Sequence, residues 1–257
     1  MRLEKYHGLG NTFLITEFEK GLNYSKLSKE YCNNKTSIGS DGLIIIKKDP
    51  LEMLIFNKDG SEAIMCGNGL RCFLHYCFSH GLLKDKLKNI EVRTKSGIYV
   101  SNIEKIEPFI SSVFFKRTLI RREEIGIFDE LFDSYFVKVG VNHNVIVCTQ
   151  ETKEKIKELK ENLLKYETFF DETNIDIVEK IDDNTISVLT YERGVGFTSS
   201  CGTGAVAAAL VSNYLFDCSN NIQVVNEYGN LNIDIEGNKV KMTGPSIKVC
   251  DLEITND

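Results

Sequence analysis

Two cysteines stand where a thiol could do acid–base chemistry. Cys66 opens Cys66-Gly67-Asn68-Gly69-Leu70-Arg71-Cys72, and Cys201 opens Cys201-Gly202-Thr203-Gly204-Ala205. Each precedes a small-residue turn that runs into an apolar, helix-like stretch, residues 73–82 after the first and 206–216 after the second. A thiol at a helix N-terminus meets backbone N–H groups that have no carbonyl partner, and the positive end of the helix dipole, which lowers its pKa. The same N–H groups form a site for an anion such as a carboxylate. The chemistry this permits is removal of a proton from a carbon beside a carboxylate. Fixed N–H dipoles stabilise the charge that develops. One cysteine as thiolate takes the proton from one face and the other as thiol delivers a proton to the opposite face, with roles exchanged in the reverse direction. An isolated Cys-Gly pair is ordinarily packing; two near-identical units in corresponding places argue for function.

Such units need a scaffold that repeats. Short runs rich in β-branched and aromatic residues, punctuated by Gly, Asn and Asp, predict strands at 13–17, 42–47, 52–57, 90–100, 112–115, 135–139, 145–148, 185–190, 222–226, 231–235 and 239–243. Helices are expected at 24–33, 68–82, 151–165 and 203–216. The stretch 151–165 has Glu-to-Lys pairs at helical spacing and reads as a solvated surface helix. The last helix carries Ala205, Ala207, Ala208 and Ala209 on several sides, which suits a helix buried all round, such as one enclosed by a curved sheet. The order of parts recurs: strands, an acidic turn, Cys-Gly-x-Gly with its helix, then more strands. The turn is Phe56-Asn57-Lys58-Asp59-Gly60-Ser61-Glu62 in the first half and Tyr191-Glu192-Arg193-Gly194 in the second. A duplication of this length implies two similar lobes, not a solenoid. The second lobe is expected to start after Pro108, giving lobes of 1–108 and 109–246. Residues 117–128 are charged and are expected to lie across the surface.

Composition narrows the classes. The 257 residues carry a net charge of −6, which offers no basic patch to nucleic acid or to an anionic membrane. No apolar run approaches the ~20 residues of a membrane span, and residues 1–7 do not resemble a secretory leader. Eight cysteines in such a chain read as reduced thiols in the cytoplasm. Cys32, Cys77, Cys148, Cys218 and Cys250 have apolar neighbours and read as ordinary core or half-buried residues. The spacing of Cys66, Cys72 and Cys77, with His75 and His80, completes no zinc pattern, so no metal is expected. His7-Gly8-Leu9-Gly10-Asn11 lacks the third glycine of a dinucleotide turn.

Taken together, the motifs are specific. His7-Gly8-Leu9-Gly10-Asn11, Gly39-Ser40-Asp41-Gly42, the Phe56 turn, the Cys66 and Cys201 units, Asn174, Tyr191-Glu192-Arg193-Gly194 and Met242-Thr243-Gly244-Pro245 span nearly the whole chain. In this combination the sequence resembles the diaminopimelate epimerase family of two-cysteine, cofactor-independent amino-acid epimerases and racemases. The resemblance implies an α+β fold of two pseudo-symmetric lobes, each a curved β-sheet around a central helix, with the active site between them. It also implies a final strand at 247–254 returning to the first lobe. It implies Cys66 and Cys201 as base and acid, with the backbone N–H groups of Gly67, Asn68, Gly202 and Thr203 on the α-carboxylate. Asn11 and Glu192 would hold the α-ammonium, and Asn57, Asn174 and Arg193 the far end of the substrate. Taken singly, Asn57 is equally a turn residue, Asn11 a cap, Glu192-Arg193 a surface ion pair and His143 a structural residue.

The expected partner is a small amino acid, with no cofactor, and the resemblance is compatible with a homodimer. The expected reaction is epimerisation of LL- to meso-diaminopimelate. Racemisation of histidine, or of a diaminopimelate analogue such as lanthionine, and amino-acid binding without catalysis are the alternatives. They stay open because Gly140-Val141-Asn142-His143 stands where the family usually has Gly-Asn-Pro-His, and Gly196-Phe197-Thr198 where it usually has Gly-Glu-Thr.

Overall fold

The computed structural model describes residues 1–127, 130–149, 152, 155, 173–192, 196–198, 200–216 and 218–254. The chain divides into two compact units, residues 1–114 with 243–257, and residues 115–242.

The first unit contains β1 (Arg2–Gly8), β2 (Asn11–Glu17), α1 (Tyr24–Tyr31), β3 (Gly42–Lys48), β4 (Leu51–Asn57), β5 (Glu62–Ala63), α2 (Gly67–Ser79), β6 (Ile90–Thr94), β7 (Gly97–Lys105) and β8 (Ile110–Lys116). Asn23 starts α1 by accepting the Lys26 amide at 3.0 Å, the ordinary capping bond of an Asn. The run Leu43-Ile44-Ile45-Ile46 in β3 is wholly buried, because α1 and α2 both pack on that strand. A strand covered on both faces has no reason to alternate.

The second unit contains β9 (Arg121–Ile127), β10 (Glu130–Val139), β11 (Val141–Val147), β12 (Asn174–Lys180), β13 (Thr185–Glu192), β14 (Gly196–Thr198), α3 (Gly202–Phe216), β15 (Asn221–Asn226) and β16 (Gly229–Glu236). Then β17 (Lys239–Pro245) leads to β18 (Ile247–Glu253), which pairs antiparallel with β1. Every residue of α3 from Gly202 to Ser212 is buried, with β10, β11, β12, β13, β15 and β16 against it. The alanine-rich sequence therefore makes the all-round buried helix that its composition implied. No helix among the described residues is long and apolar enough to cross a membrane.

Strand pairing repeats between the units. In the first, β1–β2 is antiparallel, β2–β3 parallel, β3–β4 and β4–β5 antiparallel, β4–β6 parallel and β6–β7 antiparallel. In the second, β10–β11, β11–β12, β12–β13, β13–β14, β13–β15 and β15–β16 follow the same sequence of senses. α2 follows β5 as α3 follows β14. The register fixes equivalent residues. Phe13 lies opposite Gly42 as His143 lies opposite Asn174, and Ile44 opposite Ile55 as Asp176 opposite Thr190.

Strands β1, β5 and β14 were not expected, and three further local readings differ from the sequence-based expectation. Residues 90–100 are not one strand but the hairpin of β6 and β7, turned at Lys95-Ser96 with Gly97 at φ 135°, a conformation open to glycine. The charged stretch expected across the surface contains a strand, β9, because its backbone pairs with β10 while Arg122 reaches out to Asp133 at 2.8 Å. Strand β12 was not expected, since Asp176 interrupts its apolar run and Asp is depleted in strands. The helix expected at 151–165 lies, but for residues 152 and 155, outside the described residues.

His75, on α2, stacks on Phe109 with ring centres 4.1 Å apart and meets Tyr6 edge-on at 5.2 Å. Burial holds its imidazole below the usual 6.5. Its folded pKa is lower than its unfolded one, so the unfolded chain binds the extra proton first. Stability is then complete above about pH 6.5 and falls as pH drops towards the folded value. The urea midpoint is expected to decline between about pH 7.5 and 5.5, and less steeply in His75→Phe. Equal slopes in both proteins would refute this assignment.

Candidate active site

Cys66 and Cys201 occupy the same place in their units. Cys66 is the N-cap of α2, with extended backbone (φ −147°, ψ 119°), and its Sγ accepts the Gly69 amide at 3.4 Å. Cys201 immediately precedes α3, and its Sγ accepts the Gly204 amide, also at 3.4 Å. Each cysteine's carbonyl accepts the next bond of the first turn, from Leu70 at 2.9 Å and Ala205 at 2.8 Å. A thiol here takes the part of a capping hydroxyl. The glycines at both third helical positions let strand side chains come close beneath the turn. Gly67 and Asn68 form the first turn of α2, and Gly202 and Thr203 that of α3; all four are buried.

The surroundings of the two thiols are opposite in charge. Next to Cys66 on α2, the fully buried Arg71 donates from Nε to the Pro245 carbonyl at 3.3 Å. Burial pulls its guanidinium down to about 10, against the attraction of Cys72 and Cys66. Around Cys201 stand carboxylates. Burial, and then Glu192 and Asp176, push its thiol well above its ordinary value, and hydrogen bonding with the Thr203 hydroxyl and the Gly204 amide offsets only part of this. The lowered pKa expected from the helix N-terminus is therefore not what Cys201 has. Desolvation and two anions outweigh the dipole.

Glu192 ends β13 and receives the Thr198 hydroxyl at 2.7 Å. Burial raises its carboxyl above the usual range, while Thr198, His143 and Cys201 each draw it back. Asn11 begins β2. Its Oδ1 is buried and has no hydrogen-bond partner among the described residues, a condition that costs about 1–3 kcal/mol unless a ligand donor meets it. Asn57 ends β4, and its side chain donates to Ser61 Oγ at 3.0 Å within its own turn. Asn174 begins β12, half-buried. Arg193 lies outside the described residues. Thus Cys201, Glu192, Gly202 and Thr203 come together in one unit, and Cys66, Gly67 and Asn68 in the other.

Sequence reading missed the groups beneath Cys201. His143 Nδ1 lies 2.6 Å from Asp176 Oδ2, and His143 Nε2 lies 3.0 Å from Thr203 Oγ1. Thr203 Oγ1 is in turn 3.5 Å from Cys201 Sγ. Thr190 donates to Asp176 Oδ1 at 2.6 Å. The available signal was an Asp set inside the apolar run Ile175-Asp176-Ile177-Val178. Phe197, by contrast, is explained by packing: it meets Tyr191 edge-on at 5.1 Å within an apolar cluster that includes Phe132, Ile175 and Ile177.

The duplicated α+β scaffold defines a fold class shared with known proteins. A solved phenazine-biosynthesis PhzC/PhzF protein from Clostridium difficile (strain 630) superposes with a TM-score of 0.70 at 11% identity, covering 100% of both chains; this likeness is one of fold. The family model for diaminopimelate epimerase matches residues 3–113 and 135–249. The diaminopimelate epimerase of Caldanaerobacter subterraneus subsp. tengcongensis is 34% identical over 99% of this chain and 99% of its own. That of Alkaliphilus metalliredigens is 32% identical over 97% and 96%. The chain belongs to the diaminopimelate epimerase family, and with it to the isomerases.

Proposed function

We propose that this protein epimerises diaminopimelate at one α-carbon, with Cys66 and Cys201 as a two-sided acid–base pair and no cofactor in the proton transfer. The observation that carries this reading is the equivalence of the two thiols, each accepting the third helical amide at 3.4 Å in its own copy of the fold. A duplicated thiol suits a reaction that needs a base on one face of a carbon and an acid on the other. The α-carboxylate lies on the first-turn N–H groups of Gly67, Asn68, Gly202 and Thr203, at the positive ends of the two helix dipoles. These dipoles oppose the negative charge that builds as the α-proton leaves; one such donor is typically worth about 10²–10³ in rate. Asn11 Oδ1, buried and unmatched among the described residues, accepts from the α-ammonium, with Glu192 as counter-charge. Asn57, Asn174 and Arg193 receive the distal amino-acid end, Arg193 as a bidentate partner of its carboxylate.

The test is deuterium incorporation from solvent at the α-carbon, read by mass spectrometry with reductant present. The panel is LL- and meso-diaminopimelate, lanthionine, histidine, glutamate and lysine. Exchange confined to the diaminopimelate isomers is the expected result. Exchange confined to histidine or another compound would keep the proton-transfer chemistry and discard the substrate.

A further inference from the structure

The polar chain beneath Cys201 has no counterpart in the other unit. Asp176, Thr190 and His143 correspond by register to Ile44, Ile55 and Phe13. The glycine of each first turn confirms the match. A Cβ on Gly69 would stand 3.3 Å from the tips of Ile44 and Ile55, whereas one on Gly204 would meet Asp176 and Thr190. The same scaffold position is therefore satisfied by hydrocarbon in one copy. Asp176 and His143 are fully buried, and burying a carboxylate and an imidazole costs free energy that an apolar trio avoids. Stability does not account for them; what they touch does.

Hydrogen-bonding chemistry orders the chain. A carboxylate only accepts, so His143 Nδ1 carries the proton on the 2.6 Å contact to Asp176. In the neutral ring Nε2 is then an acceptor, and the Thr203 hydroxyl donates to it across 3.0 Å. That leaves the Thr203 oxygen lone pairs for the thiol hydrogen of Cys201, at 3.5 Å.

We propose that Asp176 is a positioning residue of this site: it fixes the His143 tautomer and so aligns Thr203 as a proton conduit from the Cys201 thiol to the imidazole. When Cys201 gives up its proton to become a base, that proton passes to Thr203 Oγ1 as the threonine's own proton passes to His143 Nε2. The products are a thiolate, a neutral hydroxyl and an imidazolium held by the Asp176 carboxylate; the reverse transfer restores the thiol. Such an internal acceptor suits a thiol that burial and neighbouring anions hold in its protonated form. Glu192 hydrogen-bonds the same sulfur and is the competing acceptor of the thiol proton; the kinetic loss in Thr203→Val, which leaves Glu192 in place, separates the two routes. The inference rests on the reading of Cys201 as an acid–base group.

Asp176→Asn tests it in the full-length protein, because the amide would donate to Nδ1 and force the proton to Nε2. The four histidines allow the imidazole nitrogens to be read by ¹⁵N NMR, with His143→Gln for assignment. The wild type is expected to show His143 as the Nδ1–H tautomer and Asp176→Asn as Nε2–H. With the flip, kcat on diaminopimelate is expected to fall at least ~10²-fold with KM changed less than about threefold. In Thr203→Val, which leaves the Asp176 charge in place, alkylation by iodoacetamide should slow about tenfold at Cys201 and not at Cys66. Thr203→Val, which keeps the backbone amide, should give the same kinetic losses while His143 remains Nδ1–H. It also carries the test if Asp176→Asn folds poorly. An Nε2–H tautomer in the wild type overturns the proposal. So do unchanged kcat and unchanged Cys201 alkylation in Thr203→Val, or unchanged kcat in Asp176→Asn once the tautomer has flipped. If the wild type exchanges no diaminopimelate proton, the substrate assignment fails by itself, and the tautomer and alkylation rates still decide the conduit.

Discussion

Replacing either Cys66 or Cys201 with alanine is expected to reduce diaminopimelate epimerisation by at least ~10³-fold, since the proposed mechanism uses each thiol as base in one direction and acid in the other. The double variant should be scarcely worse than either single one, because groups that act as a unit are not additive. Folding should survive. Each Sγ accepts a first-turn amide, Cys201 Sγ also meeting Thr203 Oγ1 at 3.5 Å, and losing such contacts should cost about 1–2 kcal/mol, in the range of an ordinary substitution. Circular dichroism and thermal unfolding would establish that, and epimerisation followed by chiral chromatography would give the rates. A Cys66→Ala or Cys201→Ala enzyme working within tenfold of wild type would remove the two-thiol mechanism.

The second large effect lies at Gly204. A Cβ there would collide with the Asp176 carboxylate and stand 2.8 Å from Thr190 Oγ1. These atoms are fixed by hydrogen bonds to each other and to His143, so relief means breaking bonds in a buried network. Overpacking costs about 1–3 kcal/mol, and a buried polar group left unmatched about as much again. Gly204→Ala should therefore lose about 3 kcal/mol or more, lowering Tm by roughly 6–12 °C for a chain of this size, and activity at least ~10²-fold. Gly69→Ala is the control. Its neighbours are methyl ends of Ile44 and Ile55 at 3.3 Å, which can give way, and alanine's better helix propensity returns up to about 1 kcal/mol. If both variants unfold at the same temperature, the close approach of Asp176 to the helix does not constrain the fold.

What the sequence disclosed was local. The Cys-Gly-x-Gly units announced two helix starts within a residue or two, because a cap, small residues and an apolar run lie side by side in the chain. The alanines of α3 announced a helix buried on every side. Pairings that decide the strands were less visible. Lys95-Ser96 turns a hairpin within what reads as one alternating strand, and charged β9 is a strand because β10 lies beside it. The chain beneath Cys201 was hidden for the same reason: His143, Asp176 and Thr203 are separated by 33 and 60 positions and meet only once β11, β12 and α3 assemble. The sign of the Cys201 shift needed the structure too, since a motif reveals the helix dipole but not the carboxylates folded against it.

The strand β18 sets an order of assembly. Its partner β1 holds the first residues of the chain, and between them lies the whole second unit, residues 115–242. As the ribosome delivers the chain from its N-terminus, the unit begun first is the one finished last. The second unit is continuous and has all its strands while β1 still shows an unpaired edge beside β2. Such an edge is a template for wrong partners, and here it is exposed for the full time needed to synthesise the intervening unit. The charged residues Arg2, Glu4 and Lys5 along β1 are the type that discourages another strand from docking there before the proper one arrives.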